Sequence, residues 1–161
     1  MAIDAGAFRA ALGQLASGVA VISMHVEGED HGFTATSFTS VSLDPMLVLV
    51  CVMKSQRSYQ QLERAGHYAV SILGSKQRAL GVRFAEGAPE LRFQGLPIHR
   101  ALTGAPILQG SIAWVDCRIH DVLPGGDHSI FVGEVLAADA PASDDALAYH
   151  NRQWGRFSAD G

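Results

Sequence analysis

Three short segments carry residue types suited to meeting a ligand, and each has a plainer reading beside it. The first is residues 32–42, Gly-Phe-Thr-Ala-Thr-Ser-Phe-Thr-Ser-Val-Ser, in which six of eleven residues bear hydroxyls. Small side chains let a flat ring approach the backbone, where hydroxyls and amide N–H groups can bond a heterocycle edge or a phosphate. The same composition also suits a solvent-facing strand. The second is Lys54-Ser55-Gln56-Arg57-Ser58, which follows an apolar run and opens a helical pattern. Helix N-termini attract anions through free N–H groups and the macrodipole. Lys54 and Arg57 add charge there, and Ser55 and Ser58 add hydroxyls. Ser58 with Gln61 equally fits an S-x-x-Q capping box, and a cap hydroxyl can also touch a phosphate. The third segment runs from Gly125 to Glu134 and holds His128 beside a glycine turn. Strand alternation puts His128, Ile130, Val132 and Glu134 on one face. A lone strand histidine is usually structural, but next to a turn it is well placed for a ligand.

Charge sharpens the second segment. The net charge is -4, yet residues 54–83 carry six basic groups and one acid, a local balance of +5 against -9 elsewhere. The overall balance argues against a nucleic-acid binder. The basic stretch is either a solvated face or an anion site for a small phosphorylated ligand. Other chemistry is missing from the sequence. It has no dinucleotide-binding G-x-G-x-x-G, no Walker loop, no H-E-x-x-H and no nucleophile elbow. No metal site is expected, because the seven histidines are scattered without ligand spacing. Cys51 and Cys117 form no C-x-x-C pair and read as buried free thiols. Asp144 and Asp145 read as a solvated loop.

These residues need elements to hold them. Residues 4–16 predict a helix capped by Asp4, with Phe8, Leu12 and Leu15 forming one buried stripe. Residues 19–26 predict a strand, and 27–31 an exposed turn. The apolar run Met46–Met53 predicts a strand buried on both faces. Helices are expected at 56–65, ended by Gly66, and at 76–85, with a strand at 67–73 between them. Residues 86–110 read as loop with a short strand at 96–99. Strands are expected at 111–122 and 129–138, joined by the turn at 124–127. Residues 146–157 have no clear structure but hold Tyr149, His150, Asn151, Arg152 and Trp154. Six or seven mostly adjacent strands and two to three short helices point to one mainly β domain over residues 1–161, an antiparallel barrel with flanking helices. The first sixteen residues lack the apolar core of a secretory signal, and the longest apolar run is eight residues, so a cytoplasmic protein without a membrane span is expected.

In this order, the segments resemble the short-chain flavin reductase family, the reductase components of two-component flavin-dependent monooxygenases, which have the FMN-binding split-barrel fold. The likeness runs from about Phe8 to Phe157. It is carried by Phe8-Arg9 through Ile22, by 32–45 with its S-x-D-P ending, and by Gly126-Asp127-His128 with Gly133. The resemblance implies an antiparallel split β-barrel of Greek-key type that moves hydride from NADH or NADPH to FMN or FAD. It places Thr34, Ala35, Thr36 and Ser37 along the isoalloxazine ring, largely through backbone groups. Ser40, Ser55 and Ser58 fall at the flavin phosphate, with Lys54 nearby. Cys51, Arg83 and Phe84 join the flavin contacts, and Gln77 stands at a frequent glutamine position. His128 becomes the catalytic residue on the nicotinamide side, with Tyr149 and Arg152 approaching the dinucleotide. A homodimer and a separate oxygenase partner are also implied. Met46 departs from the family's usual proline and Trp154 from its common tyrosine, while Lys54 and Tyr59 stand at variable positions. Other readings are a flavin carrier or sensor without turnover, a split-barrel oxidase of phosphorylated pyridoxamine, and a structural or interaction barrel.

Overall fold

The structure is a computed structural model and describes residues 2–159. Its helices are α1 (Ala5–Gly13), α2 (Arg57–Ala65) and α3 (Arg78–Glu86). The first strands are β1 (Ser17–Gly18), β2 (Ala20–Val26), β3 (Glu29–Ala35), β4 (Thr39–Leu43), β5 (Met46–Met53) and β6 (His67–Ile72). After them come β7 (Ile98–Arg100), β8 (Pro106–Leu108), β9 (Ala113–Gly125), β10 (His128–Asp139), β11 (Ala146–His150) and β12 (Gln153–Phe157).

Seven strands form one antiparallel sheet in the order β3-β2-β6-β9-β10-β5-β4. Its two edge strands, β3 and β4, are consecutive in sequence and separated only by residues 36–38. Laid flat, six inter-strand steps would put those edges about 29 Å apart. The connection reaches about 14 Å at full stretch. The sheet must therefore curl until its edges lie side by side, yet no ladder joins β3 to β4. That is a split barrel, and residues 36–38 cross its seam. A smaller sheet, β1-β11-β12, lies beside it, and β7-β8 form a separate hairpin.

The barrel core is built from inward-facing residues of the strands, including Ile22, Met24, Val50, Val70 and Phe131, with Leu62 of α2 against it. A second cluster joins Val21, Leu73, Leu108 and Leu147 to Phe84 of α3. Asp116 is fully buried on β9. Its carboxylate accepts the N–H of Leu102 at 2.7 Å and of Thr103 at 2.8 Å, with the Thr103 hydroxyl as a third donor. This is how the long 86–110 connection is pinned to the sheet. A Cβ on Gly133 would strike the Tyr68 hydroxyl and come within 2.9 Å of Cys117 Cβ, so that glycine is required by packing.

Several expectations change. The helix at 4–16 is shorter and its Asp4 cap is present, but the Phe8, Leu12 and Leu15 stripe is exposed, at 54%, 52% and 67%. Amphipathic spacing shows that one face is apolar, not what covers it. β5 is buried on one face only: Val48, Val50 and Val52 are inside, while Leu47, Leu49, Cys51 and Met53 are half-buried on the other. Only Glu27 and Gly28 form the turn expected over 27–31, because β3 starts at Glu29. The strand expected at 96–99 is β7, and β8 was hidden among prolines and glycines. The last segment is a hairpin, β11–β12. Cys51 and Cys117 are free thiols, Cys117 buried and Cys51 half-buried.

Candidate active site

The seam segment is held by a side chain rather than by a ladder. The Ser37 hydroxyl donates to the Cys51 carbonyl at 3.0 Å and accepts the Cys51 N–H at 3.2 Å. A hydroxyl can do both at once, so Ser37 stands in for a missing strand pair. Cys51 meets the seam through its backbone. On its other side Ile130 lies opposite Cys51, and His128 lies opposite Met53. The register thus puts Ser37, Cys51 and Ile130 along one path across the sheet, with His128 two residues away on β10.

His128 begins β10, just past a turn that Lys54 braces. The Lys54 ammonium donates to the Gly126 carbonyl at 2.8 Å, and its backbone N–H donates to the Asp127 carbonyl at 3.0 Å. Asp127 and His128 Nδ1 are 2.7 Å apart. The hydrogen bond from His128 holds the Asp127 carboxyl below its ordinary value. A carboxylate acceptor fixes the proton on Nδ1 and leaves Nε2 for another partner.

One edge of the seam opens on a cleft of about 470 Å³, lined among others by Thr34, Gln56, Arg57, Ser58, Phe84 and Arg92. The α2 N-terminus borders it. Its N-cap is Gln56, which makes no side-chain cap bond, and no acid stands in its first turn. The capping box expected from Ser58 and Gln61 does not form; the Ser58 hydroxyl donates to Gln56 Oε1 at 3.4 Å instead. First-turn N–H groups are therefore left without a side-chain acceptor, beside the Arg57 guanidinium. His31 also lines the cleft. Burial, aided by Arg57, holds its imidazole below the ordinary value against the pull of Glu29. The cleft's positive charge thus comes from arginine.

The other proposed contacts are distributed unevenly. Thr34 lines the cleft while its hydroxyl donates to the Gly81 carbonyl at 2.6 Å, tying β3 to α3. Ala35 is buried in β3, paired with Ala20. Phe84 is a buried wall, edge-on to Phe93 at 4.8 Å. Ser40 sits on β4 opposite Val48, and neither it, Ser55 nor Lys54 lines this cleft. Arg83 turns to the loop that follows α3, donating to the Leu91 and Gln94 carbonyls at 2.5 and 2.6 Å. Gln77 is a cap, accepting the Gly74 N–H at 3.0 Å. Thr36 and Ser37 line a neighbouring cleft of about 510 Å³ on the seam. Thr36, Tyr149 and Arg152 share a third of about 330 Å³. Tyr149 packs edge-on to Trp154 at 5.2 Å. Sequence reasoning missed Arg92, whose guanidinium reaches the Gly32 carbonyl at 2.7 Å from an irregular loop. It also missed Gln56, whose role depends on where the helix starts.

The basic stretch separates by partner. Arg64 pairs with Glu27 and Lys76 with Asp144. Arg57 forms no ion pair or side-chain hydrogen bond among the described residues. Asp144 and Asp145 are half-buried ion-pair partners, the latter 3.6 Å from Arg156. Among the described residues no group of His, Cys, Asp or Glu side chains is placed to hold a metal ion.

Comparison with known proteins gives a consistent picture. A family model described as flavin reductase like domain matches residues 12–158. A flavin reductase of Pseudomonas putida is 40% identical over 159 residues, spanning 98% of this chain and 93% of its own. The reductase subunit of a flavin-dependent monooxygenase from Rhodococcus jostii is 35% identical over 159 residues, spanning 99% of this chain and 81% of its own. A solved NADH:FAD oxidoreductase of Streptomyces globisporus, in complex with NAD and FAD fragments, superposes with a TM-score of 0.90 at 35% identity. That match covers 98% of this chain and 94% of the other.

Proposed function

The chain belongs to the flavin reductase like family, and from that premise we propose that it is an NAD(P)H:flavin oxidoreductase supplying reduced FMN or FAD to a separate oxygenase. The observation that carries the reading is the cleft beside the seam, lined by Arg57 and Ser58 at the uncapped start of α2 and by Gly32, Phe33 and Thr34 of the small-residue segment. Its volume of about 470 Å³ lies in the range of cofactor pockets. A cation, free N–H groups and a hydroxyl at the start of one helix are the chemistry of a phosphate site. The residues present therefore fit a phosphorylated flavin.

Arg57 and Ser58 would hold its phosphate, and the backbone from Thr34 to Ser37 its ring. When bound, the flavin supplies the hydride-accepting ring. The protein's task is to fix geometry and exclude alternatives. Ser37 fixes the seam backbone to β5. Lys54 fixes the turn that carries His128, and Asp127 fixes its tautomer. His128 Nε2 is then available to orient the nicotinamide or to balance charge that develops during transfer. No acid–base pair is needed beyond this.

The exposed apolar residues of α1, and Val41, Leu43 and Met46 around the β4–β5 turn, are what a second copy would cover. The working unit is a homodimer in this reading. Among the described residues no helix is long and apolar enough to cross a membrane, which suits the cytoplasmic setting expected for such a reductase.

His128→Ala tests the assignment. It raises KM for NADH and lowers kcat while flavin affinity holds; equal loss on both sides would remove His128 from the nicotinamide side. Tight flavin binding with no nicotinamide oxidation by the unaltered protein would identify a carrier instead.

A further inference from the structure

We propose that Trp154 is a positioning residue for the flavin segment: its indole bears on Gly81 of α3 and, through the Gly81 carbonyl, sets where Thr34 stands in the cleft. This rests on the flavin site proposed above and extends it to a residue that does not line that cleft.

Gly81 has no backbone reason to be glycine. It lies inside α3, where glycine weakens a helix relative to alanine. It is buried and its φ is not positive, so alanine could adopt the same backbone. Packing supplies the reason. A Cβ on Gly81 would come within 2.9 Å of Trp154 Cζ3 and 3.0 Å of Cη2, with Leu147 Cδ2 at 3.5 Å. The benzo ring of the indole therefore rests directly on the helix backbone.

That indole has little room to yield. Trp154 and Tyr149 lie opposite each other on the β11–β12 ladder, with their rings edge-on at 5.2 Å. Strand β11 is itself fastened to the barrel. The Leu147 N–H donates to the Leu73 carbonyl at 3.0 Å, and the Leu147 carbonyl accepts the Val19 N–H at 3.1 Å. Trp154 also packs against the cluster that contains Leu73, Phe84 and Leu147. It is a fixed stop on which α3 is seated.

From that seat α3 reaches the cleft in two ways. The Gly81 carbonyl accepts the Thr34 hydroxyl at 2.6 Å, across 47 residues of sequence. A carbonyl oxygen has a second lone pair, so this bond leaves the helix bonding intact. Thr34 lines the cleft and begins the segment proposed to face the flavin ring. Phe84 and Ala85, one helical turn past Gly81 on the same face, line the cleft as well. Moving α3 outward at Gly81 would carry away both the acceptor of Thr34 and that wall. Close-packed contacts transmit such a shift rather than absorb it.

The test is a size swap read by flavin titration, with no nicotinamide donor present. Gly81→Ala pushes α3 off the indole and weakens FMN or FAD binding about fivefold, on the order of one hydrogen bond lost. Trp154→Phe removes the atoms that touch Gly81 and weakens binding by a similar factor. The two together restore most of the affinity, because the added methyl group fills part of the space the indole vacates. Thr34→Val also weakens binding about fivefold, and Trp154→Phe adds nothing further in that background. A residue that only stabilised the hairpin would lower Tm with flavin affinity unchanged, or its effect would add to those of Gly81→Ala and Thr34→Val. Either result overturns the proposal. The methyl resonance of Thr34, followed by NMR without flavin, shifts in Gly81→Ala and in Trp154→Phe and returns in the pair. A resonance that stays in place in both single variants overturns it too. If the unaltered protein binds neither flavin, the reductase reading fails, while that resonance still decides whether Trp154 positions Thr34.

Discussion

Ser37→Ala removes one oxygen atom and, with it, the side-chain link from the seam segment to β5 at Cys51. The hydroxyl makes two hydrogen bonds there, at 3.0 and 3.2 Å. A typical intramolecular bond contributes about 0.5–1.5 kcal/mol net, and water can replace part of an exposed one, so the two together are worth about 1–2 kcal/mol. For a domain of this size each kcal/mol shifts Tm by about 2–4 °C, giving an expected fall of about 2–8 °C. The functional effect exceeds the thermal one in consequence. Residues 36–38 lose their tie to β5, so the backbone proposed to face the flavin ring is no longer preorganised. Scanning calorimetry and flavin titration on the same samples separate the two effects. The expected result is a lower Tm together with a several-fold weaker flavin affinity. Ser37→Thr, which keeps the hydroxyl, restores both. A Tm within one degree of the unaltered protein and an unchanged flavin affinity would refute the latch.

Other parts of the structure make their own demands. Asp116→Ala leaves two part-buried N–H donors and a hydroxyl without their acceptor on a fully buried strand position, costing roughly 3 kcal/mol in urea unfolding. A loss below about 1 kcal/mol would mean water replaces the carboxylate. Gly133→Ala forces a methyl group against Tyr68 and Cys117, with a cost of about 1–3 kcal/mol, and adding Tyr68→Phe recovers part of it. Burial pushes the Asp30 carboxyl up, but the bonds from Arg100 and His25 override it and hold it below the ordinary 3.8. Its stabilisation is therefore present above about pH 4 and is lost as pH falls through the lowered folded value. Arg100→Met removes the bidentate partner at 2.7 and 2.9 Å. Unfolding free energies from urea titrations of this variant and the unaltered protein should differ by about 1 kcal/mol at neutral pH and converge once the pH falls below the lowered folded value of Asp30. A gap that widens in acid would reverse the sign of the argument.

The legible and illegible parts of this sequence divide by physical range. Local signals worked where the physics is local: Asp4 caps α1, Gly66 ends α2 in the left-handed region, and residues 126–127 turn β9 into β10. The hydroxyl-rich segment was visible by composition. Its place on a seam was not, because the seam exists only once β3 and β4 are at opposite edges of a seven-stranded sheet. The α1 stripe and the outer face of β5 were assigned to a core on apolar content alone, and apolar content does not say which molecule provides the cover. Arg83 matched a family position, yet its guanidinium bonds carbonyls eight and eleven residues on, in a loop with no periodicity to predict. Arg152 stood out by type, but its strain appears only in φ.

In the proposed reaction, one site brings nicotinamide and flavin together for hydride transfer. Anaerobic mixing of the protein and oxidised FMN or FAD with NADH or NADPH tests it directly, by the loss of the flavin's visible absorbance in a single turnover. Bleaching is expected with at least one pair, at a rate that saturates with the nicotinamide donor and far exceeds the rate without protein. Bleaching no faster than in buffer for every pair would contradict it.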